Sequence, residues 1–143
     1  MRKLLETIFE KIKKSHEYQP MEDLYYMSKE AMKTDSDLGV EFLKLLSAEC
    51  EKTMCNTAIS GEQVRLVYDL HKRVCLTAAP YDFDSYLLYV EWNRDPEKKF
   101  YPPRRKVLKR VVDALQELAD DKLDLLAVSL PPGAGKTTLA IFY

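Results

Sequence analysis

The stretch "LDLLAVSLPPGAGKTTLAIFY", residues 123–143, carries the reading on which the fold turns. Leu125 to Leu130 is a continuous apolar run of strand length, the kind found in a parallel strand covered on both faces. Behind it stands "PPGAGKTT", which has the residue types of a phosphate-binding loop. Such a loop aims backbone N–H groups and a helix N-terminus at phosphate oxygens, with a Lys for the outer phosphates and a Ser or Thr hydroxyl for Mg²⁺. Gly133 and Gly135 can adopt positive φ without a Cβ penalty. Lys136 is placed to reach β- and γ-phosphates, and Thr137 is the candidate metal ligand.

The full pattern G-x-x-x-x-G-K-[ST] asks for Gly at position 130, where this chain has Leu. Pro131 and Pro132 have no N–H to donate, and each holds the residue before it extended. The cradle is therefore expected from the amides of Gly133, Ala134, Gly135, Lys136, Thr137 and Thr138. The competing reading is a proline-glycine turn ahead of an ordinary helix. The fold expected from the whole chain is mostly α: a helical N-terminal region over residues 1–79, then residues 80–143 as the first strand, loop and helix start of an α/β P-loop ATPase domain.

Upstream, glycine is scarce, four in 143 residues, and apolar residues recur at helical spacing. A first helix is expected on Leu4, Leu5, Ile8, Phe9 and Ile12, and a second over about 22–33 on Leu24, Met27 and Ala31. A third begins at Asp35 and Ser36 and uses Leu38, Phe42, Leu45, Leu46, Cys50 and Met54. "SGEQ" (60–63) has capping-box spacing and opens a fourth on Val64, Val67, Leu70 and Val74. Ala78-Ala79-Pro80 reads as a boundary. Asp82 caps the next helix, with Tyr81 able to staple onto Tyr86, and Tyr86, Tyr89 and Trp92 read as core. Pro102-Pro103 lead into a helix burying Val107, Leu108, Val111, Val112, Leu115 and Leu118. "DDKLD" (120–124) is a turn, with its aspartates in turn and cap roles.

Residues 94–110 hold eight basic residues against Asp95 and Glu97. With Phe100 and Tyr101 among them, the segment suits an adenine base, a nucleic-acid backbone or a solvated helix face. Over the whole chain charge balances, 22 basic against 23 acidic residues, so any polyanion site must be local. Three cysteines without metal spacing read as buried, reduced thiols, and His16 and His71 as surface residues. No apolar run approaches the roughly 18 residues of a membrane span, and the start "MRKLLETIFEKIKK" lacks a signal-peptide core. A cytoplasmic protein is expected.

From about Tyr81 onward, the "FYPPRRKVL" segment, the helix after it and a "PP-x-x-G-K" loop without the first glycine resemble the start of the ATPase domain of tailed-phage large terminase subunits. The resemblance spans roughly 60 residues. It implies ATP and Mg²⁺ as cofactors, Lys136 on phosphate, Thr137 on Mg²⁺, and Tyr101, Arg104 and Arg105 at an adenine or DNA contact. It further implies a motor acting on double-stranded DNA in the cytoplasm of a bacterial host, at the procapsid, with portal protein and small terminase subunit as partners. Residues for hydrolysis and the nuclease cluster would lie on later strands and a later domain. The chain is thus expected to stop just past its phosphate loop, with no catalytic residue of its own, weak or absent nucleotide binding and no turnover. Two other readings stand beside this one: another P-loop ATPase such as a helicase or helicase loader, and a helical module that binds protein or DNA.

Overall fold

The computed structural model describes residues 1–143 as seven α-helices and one 3₁₀ turn, without a strand. They fall into two compact units, Met1–Tyr81 and Asp82–Tyr143.

The first unit is a four-helix array: α1 (Arg2–Ser15), α2 (Tyr18–Met32), α3 (Ser36–Met54) and α4 (Gly61–Ala78). α2 packs on α1 and α3, and α3 on α4. One apolar core joins them, with Leu5, Ile12, Leu24, Phe42, Leu43, Leu46, Leu70 and Val74 at 2% exposure or less. α2 starts four residues before the expected position. Pro20 falls in its first turn, where its missing N–H costs nothing.

The caps follow side-chain reach. Asp35 accepts the amide of Leu38 at 3.0 Å, and Ser60 that of Gln63 at 3.3 Å. The capping box at 60–63 is only half formed. The Gln63 amide instead donates to the carbonyl of His16 at 2.9 Å, tying the start of α4 to the end of α1.

Gly39, inside α3, sets the spacing between α2 and α3. A Cβ there would stand 2.7 Å from the Ser28 carbonyl oxygen and 2.9 Å from the Met32 nitrogen, both backbone atoms of α2.

His71 corrects the surface assignment made from sequence. It is buried on α4, and its Nε2 lies 2.8 Å from Ser47 Oγ on α3. Burial holds the Cys50 thiol neutral, its pKa pushed up to about 12. Cys75 is buried as expected, but Cys55 is exposed.

The second unit holds α5 (Phe83–Val90), a 3₁₀ turn (Pro96–Lys98), α6 (Tyr101–Ala119) and α7 (Lys136–Phe142). Here the expected α/β organisation is overturned. Residues 125–130 have no regular secondary structure and pair with no other segment, and Leu125 is 85% exposed. A strand needs a neighbour for its N–H and C=O groups, and every other ordered segment of the unit is helical. None of residues 125–130 is buried, so the apolar run forms neither a sheet strand nor a core segment here.

α5 and α6 are locked at both ends and in the middle. Glu91, at the end of α5 and 1% exposed, accepts the amides of Phe100 at 2.9 Å and Tyr101 at 2.8 Å, so it caps α6 from a distance. Gln116 Oε1 accepts the Phe83 amide at 2.8 Å at the start of α5. Asp82 caps α5 through Ser85, as expected.

Leu87 and Leu88 of α5 are buried, as are Leu108 and Val112 of α6. Two apolar expectations fail. Val107 is 63% exposed, and Tyr86 lies at the surface stacked on Phe83. An eight-residue helix covers only a narrow stripe of a nineteen-residue one, which leaves the flank of α6 open. α6 ends in a Schellman motif: Asp121 is left-handed (φ 55°) and the Lys122 amide reaches the Glu117 carbonyl.

Candidate phosphate-binding cleft

The loop ahead of α7 is built by prolines and glycines in sequence. The Ala134 amide closes a turn onto the Pro131 carbonyl at 3.2 Å, with Pro132 and Gly133 at its centre and Gly133 at φ 80°. This is the type II pattern, Pro then a residue of positive φ. Gly135 follows at φ 92° and turns the chain into α7. The first helical amide bond runs from Leu139 to the Gly135 carbonyl, and no side chain caps the helix start. The amides of Lys136, Thr137 and Thr138 therefore open the helix without an intrahelical acceptor.

These residues form one wall of a cleft of about 470 Å³ whose lining includes 130–133 and 135–138 together with Phe100 and Arg104 from the start of α6. No carboxylate lines it. The Phe100 ring stacks on Phe142 of α7, with centroids 6.4 Å apart, and lies against Gly135. A Cβ on Gly135 would come within 2.6 Å of Phe100 Cζ, so the glycine serves both a backbone angle and a ring contact. Arg104 lies over the Phe100 ring, 5.1 Å from its centroid, and donates to the Phe100 carbonyl at 3.1 Å.

The residues singled out from sequence are thus sorted. Gly133, Gly135, Lys136, Thr137 and Thr138 come together at the cleft. Ala134 lies between the two glycines, but its amide is taken by the turn. Arg104 is at the cleft, whereas Tyr101 and Arg105 do not line it.

Tyr101 is fully buried, its hydroxyl donating to Asp84 Oδ1 in a short hydrogen bond. Arg105 grips the same carboxylate with two bonds, Nε to Oδ1 at 3.0 Å and Nη2 to Oδ2 at 2.7 Å. Burial alone would raise the Asp84 pKa, but the hydrogen bonds from Arg105 and Tyr101 outweigh it and hold the group below the ordinary value. Burial, then the bond to Asp84, raises the Tyr101 phenol far above its usual range. Tyr101 and Arg105 consequently hold α6 against α5. Asp84 and Glu91, which make that clamp, carried no local signal, because their partners lie 9 to 21 residues away.

A magnesium ion fits the donor set only through hydroxyl oxygens. Thr137 and Thr138 are exposed in the cleft, and no group of three or more His, Cys, Asp or Glu residues gathers anywhere in the chain. Mg²⁺ commonly takes one or two protein oxygens and completes its shell with phosphate and water. Thr137 can supply such an oxygen.

Comparison of the chain with family models, curated proteins and solved structures finds no match. No helix is long and apolar enough to cross a membrane.

Proposed function

We propose that Gly133 and residues 135–138 bind the phosphates of ATP, and that the chain serves in a large terminase subunit that drives double-stranded DNA into a procapsid in the host cytoplasm. One observation carries the nucleotide part. Two positive-φ glycines turn the chain so that the opening amides of α7, Lys136 and the hydroxyls of Thr137 and Thr138 share one cleft free of carboxylates.

In this reading the amides and Lys136 hold the outer phosphates. Thr137 offers an oxygen to Mg²⁺, whose role when bound is to neutralise charge between the phosphates. The terminase assignment rests on the "FYPPRRKVL" segment and the "PP-x-x-G-K" loop, with portal protein and small subunit as the expected partners. The cleft has no carboxylate to activate or orient a water, so these residues bind without hydrolysing.

Titration calorimetry with ATP tests this. Affinity on the order of 1 mM is expected, weakened at least about tenfold in Lys136→Ala, with no steady ATP turnover. Equal affinity in both proteins would contradict the loop assignment.

A helical interaction module is the second reading, favoured by the absence of any strand. Under it, DNA affinity survives Lys136→Ala and falls when Lys106 and Arg110, both exposed on α6, are changed to Glu. Arg105 is unsuitable for that charge reversal, because it would lose its bonds to Asp84.

A further inference from the structure

We infer that residues 125–130 are a self-association contact, pairing antiparallel with the same segment of a second copy of the chain. Three observations meet there. No backbone hydrogen bond joins any of residues 123–130 to the rest of the chain, so a row of N–H and C=O groups is left to solvent. Burial alternates along the run: Leu126, Val128 and Leu130 are half-buried, while Leu125, Ala127 and Ser129 are exposed. That is the period of a strand, with one face partly covered and the other open. No charged residue falls between Asp124 and Lys136, so the segment lacks the internal charges by which an unpaired edge ordinarily resists a partner.

These 143 residues contain no strand to pair with the segment, so its partner lies outside them. Charge selects a second copy. A formal net charge of -1 raises no long-range barrier between two copies. A parallel pair would set Asp120, Asp121 and Asp124 against the same three residues of its mate. Antiparallel pairing instead lays that acidic end beside the mate's residues 131–136, which carry Lys136 and no carboxylate.

Geometry agrees with this choice. A two-fold axis normal to the ladder keeps the half-buried side chains of both copies on one face. Pro131 and Pro132 have no N–H to donate and end the ladder at Leu130. The contact is far smaller than the roughly 1,600 Å² of a standard stable interface, so a dimer with Kd on the order of 100 μM is expected.

Sedimentation velocity on the 143-residue chain, at concentrations spanning that Kd, tests the pairing. Wild type, Ala127→Lys, Ala127→Glu and Val107→Lys are compared, with circular dichroism confirming that each is folded. Ala127 is exposed within the run, and Val107 is exposed on α6 outside it. Each Ala127 variant should weaken the dimer about fivefold, because residue 127 lies close to its own symmetry mate and like charges then meet across the ladder. An equal mixture of the two Ala127 variants should recover the wild-type affinity, and Val107→Lys should leave it unchanged.

A wild type that stays monomeric throughout would overturn the second copy as partner and leave the segment for a strand of a different chain. A dimer that ignores both Ala127 variants would overturn the inference by placing the contact on another surface. Open-ended aggregates in place of a dimer would overturn the closed antiparallel pair in favour of parallel stacking.

Discussion

Replacing Asp84 with Ala is expected to destabilise the second unit by about 2–4 kcal/mol. The carboxylate is 11% exposed and holds two donors, the buried hydroxyl of Tyr101 and the fork of Arg105. Its removal strands the hydroxyl inside the protein, whereas Arg105, 28% exposed, can turn to water. Arg105→Ala should cost a similar amount for the opposite reason, since it leaves a buried charge with only the tyrosine hydrogen bond and the charge of Lys109 for support. The double substitution should cost less than the sum of the two, because both remove the same interaction. Amide hydrogen exchange at Leu108 and Val112 reads the loss in this unit alone.

The dependence on pH follows from the lowered pKa of Asp84. A carboxylate whose folded pKa lies below its unfolded value stabilises fully above the unfolded value and loses that contribution as pH falls through the folded one. Wild-type protection should therefore decline below the ordinary Asp value of 3.8. Asp84→Ala lacks the contribution throughout, so the gap between the two proteins narrows in acid. A gap that stays constant down to pH 2 would contradict the clamp.

Gly39→Ala is expected to destabilise the first unit by about 2–3 kcal/mol. Intrinsic propensity argues the other way, because Ala exceeds Gly by about 1 kcal/mol in a helix interior. Steric conflict wins here. The new Cβ meets backbone atoms of α2 within 2.9 Å, and backbone moves only by shifting the helix. Gly61, at the start of α4, has nothing within 4 Å of its own would-be Cβ and serves as the control. Gly61→Ala should be neutral or slightly stabilising. Exchange protection at Leu43 and Leu46 measures both, and a stabilised Gly39→Ala protein would refute the close approach of α2 and α3.

Short-range chemistry was readable from the sequence. Asp35, Ser60 and Asp82 cap where they were expected, because a cap acts within three residues of itself. The apolar faces of α1, α3 and α4 were legible from their period, except that Leu4 and Leu45, read into those faces, are 49% and 37% exposed; the loop residues that meet at the cleft were legible from glycine and lysine spacing.

Long-range chemistry was not readable. His71 finds Ser47 across 24 residues, and Glu91 caps a helix that begins ten residues later. Gly39 carries no mark of its role, since what it touches lies on another helix. Tyr101 and Arg105 looked like ligand contacts because aromatic and cationic residues suit both a base and a buried carboxylate, and only the position of Asp84 separates the two. The run at 125–130 misled for a related reason. Apolar content without periodicity does not say whether a partner strand exists.

The central claim is that Gly135 to Thr138 present their amides to phosphate. Amide chemical-shift mapping tests it most directly, with tripolyphosphate and then ATP added to the labelled chain. The shifts are predicted to concentrate at Gly135, Lys136, Thr137 and Thr138, to extend to Arg104, and to need at least about tenfold more ligand in Lys136→Ala. Shifts confined to other surfaces, or unchanged by Lys136→Ala, would contradict it.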